Sequence, residues 1–133
     1  MKKYITFGSP LIENKEISSV VKCLKSGWIG TGPKVQEFQK KFSDYKKIKN
    51  SIAVHSCSAA LHLSLKSLNL KKNDEVITSA LTFCSTVNSI ILSGAKPVLA
   101  DVDLDTQNID PKDIIKKINK NTKAIIIVHF AGR

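Results

Sequence analysis

Apolar positions fall into two alternating patterns along this chain. Ile17, Val20, Val21 and Leu24 recur at i, i+3, i+4 and i+7, the spacing of one helix face. Gly27 is placed to stop that helix, since glycine takes the left-handed conformation that follows a last turn. Gly27–Pro33 then reads as a loop, with Pro33 opening a second helix that carries Val35, Phe38, Phe42 and Tyr45 on one side. Beyond it the pattern changes to short apolar runs separated by helical stretches. Ser51–His55, Glu75–Thr78, Lys96–Val102 and Ala124–His129 are expected as strands. Between them lie a helix with Leu61, Leu65 and Leu68 aligned, and one with Val87, Ile90 and Ile91 that opens at Thr82 or Thr86 and closes at Gly94. A third has Ile114, Ile115 and Ile118 inward. Asp110 is a good N-cap for this last helix, with Pro111 at N1 and Asp113 in a near capping box. Runs without alternation suit strands covered on both faces. Strand and helix alternating at these lengths predict an α/β fold, a mainly parallel sheet with flanking helices.

In such sheets ligands bind beyond the carboxyl ends of the strands. That rule picks out His55–Ala59, Ser79–Phe83, Asp101 with Asp103, and His129–Gly132. Small residues between a strand and a helix, as in Ser56–Ala60, leave backbone N–H groups facing an anion at the positive end of the helix. Taken alone, the segment reads first as an ordinary serine N-cap. Phe83 at the same rim could cover a planar ring or fill a core. Together they suit a ligand with a phosphate and a flat ring. Trp28 in the glycine loop is a cleft wall or a hydrophobic plug. Asp101, Asp103 and Asp105 lack the glycine and distal glutamate of a calcium loop, so turn formation is expected and no metal site. His55, His62 and His129 form no metal pattern.

Composition narrows the classes. The 133 residues, 42% apolar and 24% charged, suit one folded domain. No apolar stretch is long enough for a membrane span, and MKKYITFGSP has no apolar region behind its lysines, so no membrane association and a cytoplasmic location are expected. The formal charge is +10, yet the only arginine is Arg133 and the lysines are scattered. Nucleic-acid recognition leans on arginine forks, so no nucleic-acid partner is expected. Cys23, Cys57 and Cys84 give neither a disulfide framework nor a metal pair, and Cys23 is expected in a core.

The segments SPLIENKEI, SGWIGTGPKVQEF, AVHSCSAALHLSL, DEVITSALTFCSTVNSI, GAKPVLADVDLDTQNID and TKAIIIVHFAGR together resemble the DegT/DnrJ/StrS family of pyridoxal-phosphate-dependent sugar aminotransferases. The resemblance spans nearly the whole chain. It implies part of the large, cofactor-binding domain of a fold-type I transferase over residues 1–133, with 1–33 a leading helix and substrate-cleft loop. It implies pyridoxal 5′-phosphate as cofactor, with Cys57, Ser58 and Ala59 at its phosphate, Phe83 stacked on its ring and His129 nearby. Family members often carry glycine where Cys57 stands. Trp28, Gly30 and Thr31 match a loop near the sugar-nucleotide cleft. The implied substrates are a nucleotide sugar and an amino acid, and the implied assembly is a homodimer. The family's Schiff-base lysine and the aspartate at the pyridine nitrogen are expected beyond Arg133, so no catalytic residue is assigned here. The chain alone is expected to be inactive, with weak or no cofactor binding. The other reading is a truncated non-catalytic protein acting as an oligomerising or interaction module.

Overall fold

The computed structural model describes residues 8–133. It divides into two compact units, Met1–Ala53 and Val54–Arg133.

The first unit holds α1 (Asn14–Ser26) and α2 (Pro33–Lys46). A capping box starts α1, with the Glu13 N–H donating to Glu16 Oε2 at 2.9 Å. Gly27 ends it at φ 76°, as expected. Its apolar stripe is amphipathic but not buried: no α1 residue is fully buried, and Leu24 is 62% exposed. Cys23, expected in a core, is only half-buried. Pro33 opens α2, and Glu37 accepts from Lys34 and Lys41, both at 2.7 Å, which holds its carboxyl down at about 2.

The expected strand Ser51–His55 is not a strand. A ladder needs a neighbour, and none among the described residues pairs with this segment. Its groups turn to Gln39 of α2 instead. The Ala53 N–H donates to Gln39 Oε1 at 2.9 Å, and Ser51 Oγ donates to the Gln39 carbonyl at 2.6 Å. Ile52, expected to be buried, is 84% exposed.

The second unit contains α3 (Cys57–Lys66), β1 (Glu75–Ser79), α4 (Cys84–Leu92), β2 (Lys96–Ala100), α5 (Pro111–Lys117) and β3 (Thr122–Ile126). The strands form one parallel sheet in the order β2-β1-β3. Central β1 is the most buried, and its alternate residues feed two cores. Val76 packs with Leu65 of α3, Ile90 of α4 and Ala95 on one face. Ile77 packs with Ala100, Ile109 and Ile114 on the other. The helices therefore flank the sheet on both sides, as the unalternating runs implied. Pro97, which has no N–H to give, sits in β2 at the outside of the sheet, where a missing donor costs least.

Three ends differ from expectation. β2 stops at Ala100 rather than Val102, because Val102 turns to bridge Ile109 instead of continuing the ladder. The last strand stops at Ile126, and the expected Ile127–His129 portion is not part of the ladder; Ile127 is largely exposed. Neither Thr82 nor Thr86 caps α4. Phe83 occupies that position, and Thr86 lies inside the helix with its hydroxyl 2.8 Å from that of Thr82. Asp110 caps α5 as expected, accepting from the Lys112 N–H at 2.8 Å. Asp113 does not close a capping box. Its carboxylate accepts from the Asp101 N–H, which with the nearby Lys117 lowers its pKa.

Candidate functional site

The carboxyl ends of β1 and β3 open onto a cleft of about 440 Å³, a volume typical of small-molecule sites. Its walls come from three elements. The first turn of α3 gives Cys57 and Ser58, the start of α4 gives Phe83 and Thr86, and the chain leaving β3 gives Ile127 and Val128. Ser58 and Phe83, 25 residues apart in sequence, thus face one cavity. The sheet delivers the start of α4 there directly after β1, whereas α3 follows no described strand and reaches the same rim through its packing on β1 and α4.

At the α3 end, the Ser56 side chain caps the helix by accepting from the Ala59 N–H at 3.1 Å. That engages one of the free donors expected there, and Ala59 itself does not line the cleft. The N–H groups of Cys57 and Ser58 and the Ser58 hydroxyl make no hydrogen bond among the described residues. They lie in the positive first turn of a ten-residue helix, which carries no acidic residue there. Two N–H donors, one hydroxyl and no opposing charge fit a phosphate. Phe83 is 76% exposed at the opposite helix start, so its ring face is available to a planar partner.

Ser85 and Thr86 were missed as cleft residues by sequence reasoning. The rim rule that selected Phe83 reaches them if extended into the first turn of α4. Thr86 is buried and its hydroxyl is shared with Thr82, a tie that fixes the loop carrying Phe83.

His129 is exposed and does not line the cleft; its Nδ1 is 2.8 Å from the Arg133 carbonyl oxygen. Asp103 forms a turn, as expected. Its Oδ1 accepts from the Thr106 N–H and hydroxyl and the Asp105 N–H, and these bonds, Thr106's first, hold its pKa below the usual carboxylate value.

The first unit has a hollow of its own, about 230 Å³, lined by Trp28, Gly30, Cys23 and Pro33. Thr31 is exposed and is not part of its lining. Gly32 is buried beneath the indole. A Cβ there would meet Trp28 Cε3 at 2.9 Å and Cβ at 3.3 Å, so both the ring and its stem would have to move. Gly32→Ala is expected to displace Trp28 and to cost about 1 kcal/mol through overpacking. Trp28 is the only tryptophan, so a changed emission maximum and acrylamide quenching report the movement directly. Unchanged fluorescence would show that the indole does not rest on Gly32.

The chain belongs to the DegT/DnrJ/EryC1/StrS aminotransferase family, which it matches over residues 10–133. It is 48% identical over 130 residues to the spore coat polysaccharide biosynthesis protein SpsC of Bacillus subtilis, covering 98% of this chain and 33% of SpsC. Among solved structures it is similar to Spr1654 of Streptococcus pneumoniae in its PMP-form, with a TM-score of 0.89 and 39% identity over 96% of this chain and 32% of that one. The aminotransferase from Psychrobacter cryohalolentis matches with a TM-score of 0.85 and 33% identity over 92% of this chain and 31% of that one. The chain spans about a third of the length of these relatives.

No described helix is long and apolar enough to cross a membrane.

Proposed function

We propose that this chain is the phosphate-gripping part of a pyridoxal-phosphate-dependent aminotransferase. The enzyme moves an amino group from an amino acid, glutamate in this reading, onto a keto sugar carried on a nucleotide. The observation that carries the reading is the meeting of Ser58 and Phe83 in one cleft at the carboxyl edge of the sheet. Support also comes from Spr1654, assigned as a sugar aminotransferase and solved in PLP- and PMP-forms, and from the polysaccharide role in the name of SpsC.

When bound, the cofactor supplies the electron sink that amino transfer needs. The residues of this chain hold and shield it. Ser58 donates its hydroxyl and N–H to the phosphate, and the Cys57 N–H adds a second backbone donor. Phe83 covers one ring face and keeps water from it. Ala59 keeps the approach to the phosphate small. His129 stands at the same edge of the sheet, outside the cleft lining and next to Val128, which lines it. Trp28, Gly30 and Thr31 belong to the loop that meets the sugar nucleotide. No residue among these 133 is assigned as the covalent lysine or as the aspartate at the ring nitrogen, and the working assembly is a homodimer in the cytoplasm.

Two outcomes test this. The 133-residue chain mixed with cofactor, amino donor and keto sugar gives no turnover. Titrating the isotope-labelled chain with pyridoxamine 5′-phosphate moves the amide resonances of Cys57, Ser58 and Phe83, even where affinity is only millimolar. The aldehyde-free form keeps the twenty lysines from reacting with the probe. Pyridoxamine without its phosphate leaves Cys57 and Ser58 unmoved. Shifts confined to other residues would remove the site.

A further inference from the structure

The segment between β2 and α5 is more heavily tied than a connection of its length requires. Val102 and Ile109 form an antiparallel bridge. The Asp103 N–H donates to the Asn108 carbonyl, and the Asp110 N–H to the Asp101 carbonyl, both at 2.9 Å. Asp103 Oδ1 gathers three donors inside the loop. The Asn108 N–H reaches Thr106 Oγ1 at 3.3 Å. Asn108 is therefore held by its own backbone, half-buried, with its side chain free to act outward.

That side chain crosses to another strand end. Asn108 Oδ1 accepts from the Phe130 N–H at 2.9 Å, a contact spanning 22 residues. The donor belongs to the peptide unit joining His129 to Phe130, so the bond fixes the plane of that peptide. The turn that follows is closed by bonds within itself, from the Gly132 N–H to the His129 carbonyl at 3.1 Å and from the Arg133 N–H to the Phe130 carbonyl at 3.2 Å, and these do not tie it to the rest of the sheet. Phe130–Gly132 has no buried residue, and Ala131 sits at φ 52°, a left-handed conformation that persists only where the surroundings impose it. A longer bond from Arg133 Nη1 to the Asp105 carbonyl, at 3.3 Å, joins the same two segments.

We propose that Asn108 is a positioning residue: its carboxamide oxygen clamps the His129–Phe130 peptide and so sets where the turn after β3 stands at the carboxyl edge of the sheet. Its functional meaning rests on the reading that the cofactor occupies that edge. The clamp itself is measurable without the cofactor.

The experiment compares the isotope-labelled 133-residue chain with Asn108→Ala and Asn108→Asp by amide hydrogen exchange and by the resonances of the His129 ring. In Asn108→Ala the Phe130 amide exchanges about tenfold faster, the order a lost net hydrogen bond carries, while the Val76–Ser79 amides keep their rates. The His129 ring resonances move as well. Asn108→Asp retains a side-chain oxygen acceptor and restores both to near the parent values. An unchanged Phe130 rate in Asn108→Ala overturns the proposal. So does acceleration shared with the strands, which would make Asn108 a general support, and so does an aspartate that fails to restore. If pyridoxamine 5′-phosphate moved only resonances away from Cys57, Ser58 and Phe83, the cofactor reading would fail and the Phe130 exchange rates would still decide the clamp.

Discussion

Ile77→Ala is expected to remove about 3 kcal/mol of stability, the middle of the range for large-to-small changes at a closed core site. Ile77 is 0% exposed on the central strand and packs with Ala100, Ile109 and Ile114. A parallel strand hydrogen-bonded on both sides cannot slide to fill the space, so a cavity remains. Among the described residues the buried apolar set is short, eight residues in two clusters, so each member carries a large share of the packing. With a urea slope of about 1–3 kcal/mol/M, the unfolding midpoint falls by roughly 1–3 M. Ile115→Ala provides the contrast. Ile115 neighbours buried Ile114 in sequence but is 71% exposed, and its loss is expected to stay within about 0.5 kcal/mol. Equal losses at the two positions would mean that the sheet does not organise the core.

The second large effect concerns affinity. Ser58→Asp is expected to abolish the pyridoxamine 5′-phosphate shifts at Cys57 and Phe83, while Ser58→Ala weakens them by roughly tenfold or more. The alanine figure follows from losing one hydrogen bond to a charged group, about 1.5–3 kcal/mol. Aspartate adds a like charge where the phosphate would sit. It also stands in the first turn of α3, where a carboxylate favours the helix, so the loss cannot be assigned to unfolding. Thermal unfolding of the variant, at or above the parent temperature, supplies that control. If Ser58→Asp titrated like the parent chain, the phosphate cup would be elsewhere.

Much of this arrangement could be read from local signals. Gly27, Pro33 and Asp110 act within one turn of themselves, and each marks the helix end it was expected to mark. The strands through Ile77, Val98 and Ala124 were visible as apolar runs between helical stretches, and the rim rule then put Phe83 at the edge beyond β1; Ser58 lies at that edge too, although the strand expected before it does not form. What failed needed partners that local sequence does not specify. Ser51–His55 has the composition of a buried strand, but strandedness belongs to a pair, and its polar groups found Gln39 instead. Thr82 and Thr86 have the chemistry of helix caps, yet their hydroxyls bond to each other and leave the position to Phe83. Asn108 gave no signal at all, because its bond to Phe130 joins the connection between β2 and α5 to the chain after β3, which only the folded sheet brings together.

Pro97 makes the sheet unequal in its capacity to grow. An incoming strand on the β2 side would find one rung of the ladder missing at that proline, whereas the β3 side keeps every backbone N–H and, past the register shift at Lys123, runs regularly beside the half-exposed Ile125. Further polypeptide extending this layer, from any source, is steered to the side where Thr122–Ile126 lies.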